Sequence, residues 1–249
     1  MKTFVYTILC FSTFVLGIKG KEERTLIINY IHSTHIEGLP SKTSVNATLI
    51  SNDKFSLYEM DYRNNQNLID EEDNDDGQTF LSIRTSSNPY IFKDYSKEIF
   101  YSTERISIKP FLVKDSTNIF KWNLLEERKT ILNYDCQKAK LEYRGRVYIA
   151  FFTTDIPFNA GPWKFSGLPG TILEIKSEDG VFEMNAVNLK IINNSTDISS
   201  PYENLEKAIN WEEFILKYRK KYDELLSYVD ENNVTMTIPK RKIEVLIED

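Results

Sequence analysis

The sequence predicts a mainly β domain of α+β type: an antiparallel sheet with one long C-terminal amphipathic helix. Three observations predict it. Short runs rich in β-branched and aromatic residues alternate with clusters of Asn, Asp, Gly and Pro, at a spacing of about 8–12 residues that favours antiparallel strands over βαβ units. Asp179-Gly180, inside "KSEDGVF", carries the residue types that accept the positive φ angles of a tight hairpin turn. After Pro201 the apolar period changes from 2 to 3.6, the mark of an amphipathic helix.

The first strands read as "TLIINYIHST", "SVNATLI" and "KFSLYEM", separated by the turn clusters "EGLPSK" and "SNDK". Residues 61–77, "DYRNNQNLIDEEDNDDG", are acidic and aperiodic, which predicts a solvated loop. Extended runs resume with "TFLSIRT", "YIFKDY", "EIFYSTERISIK", "AKLEYRGRVYIAFFT", "GTILEIKS" and "GVFEMNAVNLKII". Trp211, Phe214, Ile215, Tyr218, Tyr222, Leu225, Leu226 and Val229 then fall on one face of a helix spanning about 210–229. Asn210 and Glu213 have the spacing of a capping box. Such a helix is expected to cover one face of the sheet, and the tail "NNVTMTIPKRKIEVLIED" could add a last strand.

The chain opens with Lys2, an apolar run from Phe4 to Ile18, small residues at Gly17 and Gly20, and charges from Lys21 onward. This is the layout of a cleaved secretory signal over residues 1–20, with a core too short to span a membrane. The chain is therefore expected to be exported. Cleavage after Gly20 would leave residues 21–249 as a single domain and move the formal charge from −6 to −8, through loss of Lys2 and Lys19. That acidity excludes nucleic acid and anionic lipid as natural partners. Cys10 lies in the signal core, so Cys136 is the one cysteine left. It is expected to be buried, without an internal disulfide.

The chemistry-bearing residues are sparse. His32 and His35 would point to opposite faces of a strand, which is wrong for shared metal ligation; exposed strand-edge histidines are expected. "DEEDNDDG" fails as an EF-hand loop because Ile83 stands where a bidentate Glu is needed. No zinc-protease, nucleophile-elbow or phosphate-loop motif is present, and neither a metal nor a cofactor is expected. Asp155, Glu174 and Glu183 lie near aromatics, but spacing alone assigns no catalytic pair. Asn46, Asn193 or Asn194, and Asn233 sit in glycosylation contexts.

The densest turn cluster is Gly161 to Gly170. Leu168-Pro169-Gly170-Thr171 places Pro and Gly as a type II turn requires. Gly161-Pro162 makes an earlier bend, and Trp163 and Phe165 are expected to share one side of a short extended piece between them. The expected role of Gly161, Pro162, Gly167, Leu168, Pro169 and Gly170 is structural, a corner where the sheet changes direction.

Cys136 with Lys138-Ala139, an aromatic strand ending in Asp155-Ile156-Pro157, then Gly161-Pro162-Trp163-Lys164-Phe165 and Gly167-Leu168-Pro169-Gly170, together resemble the GLPGLI family of secreted Bacteroidetes proteins. "WNLLEERKTI" and "SLY" (56–58) add to the likeness. Thr171 departs from the family pattern, which has Leu there, and implies a less buried position. The resemblance implies that the antiparallel sheet is curved into a bowl or half-barrel, similar to the N-terminal bowl-like domain of a type II peptide-N-glycosidase. It implies no catalytic residue.

The expected function is that of an exported, non-enzymatic accessory or ligand-binding protein, with a glycan or an outer-membrane protein as partner. Trp163, Phe165 and Tyr148 are the candidates for stacking on sugar rings. The alternatives are a periplasmic carrier of lipid or lipidated protein, closed by the helix, and a hydrolase with an unrecognised site.

Overall fold

The computed structural model describes residues 23–35, 42–62, 88–194, 196–227, 237–240 and 242–247. The expected signal segment, the strand expected at 79–85, Asn233 and all of the acidic loop beyond Tyr62 lie outside the described residues.

Eleven strands follow in order: β1 (Thr25–Thr34), β2 (Thr43–Ser51), β3 (Phe55–Asp61), β4 (Tyr90–Asp94), β5 (Ile99–Ile106), β6 (Lys109–Ser116), β7 (Asn123–Ile131), β8 (Tyr134–Tyr143), β9 (Arg146–Thr153), β10 (Thr171–Ser177) and β11 (Phe182–Ile192). A two-residue strand β12 (Ile209–Asn210) leads into helix α1 (Trp211–Leu226). All twelve strands form one open sheet in the order β12-β6-β5-β4-β3-β2-β1-β11-β10-β9-β8-β7. Neighbours pair antiparallel except β12, which runs parallel to β6.

Two expected single runs divide into hairpins. "EIFYSTERISIK" breaks at Ser107, which turns with φ 53° despite being neither Gly nor Asn. "AKLEYRGRVYIAFFT" breaks at Arg144-Gly145, with φ 45° and 75°, a primed two-residue turn. Leu132-Asn133 does the same between β7 and β8, with φ 50° and 67°, so "NLLEERKTI" is a strand in its own right.

The sheet is curved over its interior. In the strand order β5 and β8 are eight places apart, which in a flat sheet would separate them by roughly 38 Å. Yet the ring of Phe120 lies 6.3 Å from Phe100 on β5 and 5.0 Å from Tyr143 on β8. The concave side holds the main core, in which Tyr30, Tyr58, Tyr148, Phe152, Phe165 and Phe182 are fully buried.

The helix does not cover a face of the sheet, as expected, but packs at its β6 end. Phe214 and Tyr218 are buried there with Ile106 and Val113, whereas Leu216 and Leu226 stay exposed. The expected N-cap is present, with the amide of Glu213 donating to the Asn210 side chain at 2.8 Å. The outer face of β4 and β5 is covered instead by an irregular segment, through Ile198, Tyr202, Leu205 and Ala208 over Phe92 and Tyr101. Helix periodicity cannot reveal that cover, because the covering chain has no period. In the tail, Val245 makes a single bridge, its amide donating to Arg144 O at 3.1 Å, and no full strand forms among the described residues.

Candidate functional site

The connection between β9 and β10 folds back into the concave core, and Gly161 to Ser166 are all buried. A buried loop must satisfy its backbone polar groups internally. Lys93 on β4 reaches across to donate to Gly161 O at 2.8 Å and Phe165 O at 2.5 Å. Trp122 Nε1 donates to Ser166 O at 2.8 Å. Complete burial pushes the Lys93 amine down to about 7.

The turn chemistry differs from the expectation. Gly170 N donates to Leu168 O at 2.7 Å, an i to i+2 bond that closes a three-residue turn on Pro169 rather than a type II turn. Phe165 N donates to Pro162 O at 3.1 Å, and Trp163 has φ 51°. The segment expected to be extended is therefore a tight turn centred on Trp163 and Lys164. Thr171 is fully buried rather than less buried. Its hydroxyl lies 3.0 Å from Ile156 O and 3.2 Å from Phe158 O, a role open to Thr and closed to Leu.

The three aromatics expected to stack on sugars are core residues. Trp163 is 5% exposed, and Phe165 and Tyr148 are 0% exposed. Phe165 is a hub, its ring 4.9 Å from Tyr148, 5.3 Å from Trp163 and 5.6 Å from Phe120. The expectation that these rings face solvent is corrected, because the loop carrying two of them turns inward rather than lying along an outer strand.

His32 also departs from expectation. It lies on β1, between β2 and β11, and is 1% exposed rather than at an exposed edge. The Tyr58 hydroxyl sits 3.3 Å from its Nδ1. Burial pushes the imidazole down to about 3. Glu174 pairs with Lys129 and Glu183 with Lys42, both at 2.6 Å, and Asp155 is exposed.

What the inward loop does assemble is a largely buried ionic cluster. Lys164 Nζ lies 2.5 Å from Glu244 Oε2 and 2.8 Å from Glu104 Oε1. Arg144, in the β8–β9 turn, bonds Glu244 Oε1 at 2.5 Å and also pairs with Asp115 on β6. Its guanidinium lies 3.3 Å from the Trp211 ring centre, a cation–π contact strengthened by loss of water. Burial works against the Glu244 carboxylate, but Lys164 and Arg144 outweigh it and hold the group below its ordinary range. Asp115 moves the other way, raised because its desolvation exceeds the pull of Arg144.

Beside the cluster the tail is held by its backbone. Arg146 donates from Nε to Ile243 O at 2.8 Å and from Nη2 to Lys242 O at 2.7 Å. The Tyr148 hydroxyl adds a bond to Ile243 O at 3.1 Å. Gly145 lies under Val245, where a β-carbon would stand 2.7 Å from that side chain. Sequence reasoning missed Lys93, Arg144, Lys164 and Glu244. The visible signals were a lysine between two aromatics in a turn-dense stretch, and a lone acid inside the apolar run "IEVLI".

Residues 144–174 match a family model described as "Protein of unknown function (Porph_ging)". No curated protein matches the sequence. Among solved structures, the fold is similar to that of PNGF-II in its P21 crystal form, with a TM-score of 0.50 and 14% identity over 80% of this chain and 34% of that one. The C2 form of PNGF-II gives a TM-score of 0.49, also at 14% identity, over 80% of this chain and 32% of that one. The chain thus spans about a third of the length of that protein. The match falls on the segment that bears the GLPGLI-like signature, and that segment supplies both cations of the ionic cluster, Arg144 and Lys164.

Proposed function

We propose that this chain is an exported, non-enzymatic binding domain, acting beyond the inner membrane as an accessory protein. The observation that carries the reading is the state of its acids. Hydrolysis by two carboxylates needs one acid able to give a proton and another kept ionised at a set separation. Here Glu244, Glu104 and Asp115 each face a cation inside the cluster, and Glu174 and Glu183 are tied to lysines. These ion pairs hold segments of the chain together, which supports a structural use of the acids.

The carrier alternative loses support because the concave side is filled by interlocking rings, with Phe165, Tyr148, Phe182 and Trp163 within 4.9–6.0 Å of one another where they touch. A glycan partner is the second reading, favoured by the fold likeness to PNGF-II. It requires surface groups other than Trp163, Phe165 and Tyr148.

Residues 21–249 incubated with N-glycopeptides and followed by mass spectrometry test the proposal. Unchanged substrate is expected, together with recovery of an envelope protein by cross-linking in the native host. Turnover of a glycopeptide at catalytic ratios would overturn the non-enzymatic reading.

A further inference from the structure

Residues 242–247 are held in a way that separates general grip from specific recognition. Arg146 and Tyr148 bind main-chain carbonyls, which any peptide offers. Arg144 and Lys164 bind one side chain, the Glu244 carboxylate, with one oxygen each. Leu246, two residues on and 5% exposed, enters the apolar cluster of Ile106, Val113 and Phe214. The segment bends at 242–244 and folds back on Lys240, and within that turn Glu244 and Leu246 are both buried, one in a charged and the other in an apolar pocket.

The charged part of the receiving surface is built without the tail, whereas Ile238 of the tail itself helps to form the apolar part around Leu246. Arg144 sits in a primed hairpin turn and Lys164 in the tight turn after Trp163. The Trp211 ring lies close to both cations, at 3.3 Å and 5.0 Å. Gly145 leaves room for the Val245 side chain, which a β-carbon there would meet at 2.7 Å. The tail's own turn is self-contained, with the amides of Leu246 and Ile247 both donating to Lys240 O.

We propose that the surface formed by Arg144, Arg146, Tyr148 and Lys164 is a peptide-binding groove for acidic segments of the form Glu-x-aliphatic, and that this chain's own tail fills it as an intramolecular ligand. The proposal rests on the binding reading above and gives it a ligand class. Release of the tail would leave Arg144 facing Asp115 and Lys164 facing Glu104, with the two Glu244 oxygen positions vacated beside the Trp211 ring, a receptor for a carboxylate on a peptide.

The test uses the full chain with a protease site inserted after Ser227, cleaved once folded. The probe is a fluorescent peptide of residues 237–247, measured by anisotropy with the cleaved protein. The labelled peptide is expected to exchange with the cut tail and bind, and the same peptide with Glu244→Ala to bind at least about tenfold more weakly, the loss of a charge-assisted pair. In an Arg144→Met protein the preference for Glu over Ala should shrink. Failure of the peptide to exchange, or equal binding of the Glu and Ala peptides, overturns the groove, and the peptide pair decides the matter even if Arg144→Met does not fold. Glycopeptide turnover would overturn the binding reading separately, without bearing on exchange.

Discussion

Gly170 passes so close to Thr153 that a β-carbon on it would stand 2.1 Å from the Thr153 carbonyl oxygen. Its φ of 151° is also a conformation that L-residues with side chains avoid. The two constraints act together, because the contact is with backbone and cannot be relieved by a rotamer change. Gly170→Val is expected to lose about 4 kcal/mol or more, the range of strained and overpacked core positions, and to accumulate as unfolded protein. A Gly170→Val chain with an unchanged denaturant midpoint would refute this.

Lys93 carries a second prediction, with a pH signature. Its amine titrates near 7 in the fold because of burial, against 10.5 in the unfolded chain. Between those values the unfolded state binds more protons, so stability rises with pH across the window. Lys93→Met should abolish that rise. It should also cost about 1–3 kcal/mol for each of the two carbonyls left without a donor, at Gly161 and Phe165. Urea melts at pH 7 and pH 9.5 on both proteins measure the two effects together.

His32 predicts the opposite limb. Burial lowers its folded value to about 3, well under the usual 6.5, so charging the ring is linked to unfolding. Stability should fall as pH drops below 6.5, approaching a slope of about 1.4 kcal/mol per pH unit. Between pH 6.5 and 5 ordinary carboxylates remain mostly ionised, which isolates the histidine. His32→Phe should flatten the slope there, and an unaltered slope would show that another group is responsible.

These three residues also show what was legible in the sequence. The β strands and the helix start were readable because alternation, β-branching and the Asn210 cap are local signals. The bend at Pro169-Gly170 was readable for the same reason, although the turn type was not: a three-residue and a four-residue closure share the Pro-Gly dipeptide. Lys93 and Glu244 were invisible because their meaning comes from partners 68 to 100 residues away. His32 was misread because burial depends on where β1 lies in the sheet order, and pairing order is not a local property. Trp163 and Phe165 misled for a related reason, since an aromatic next to turn residues reads as exposed until the loop is known to turn inward.

Cys136 lies on β8, 0% exposed, beside the terminal strand β7. Burial pushes its thiol up to about 11, so at neutral pH the folded protein offers almost no thiolate, the reactive form. Modification must therefore wait for β7 to leave the sheet edge or for the whole fold to open. Strand β7 carries mostly exposed side chains and contributes few core contacts, so edge opening should need less free energy than global unfolding. In protein lacking residues 1–20, labelling by a disulfide reagent is expected to be slow, yet faster than the global unfolding equilibrium permits. A substitution such as Leu124→Ser that loosens the edge should raise the rate without lowering the global midpoint by much. Instant labelling of the native protein would mean that Cys136 is accessible, and a rate equal to global unfolding would mean that the β7 edge opens only with the rest of the sheet.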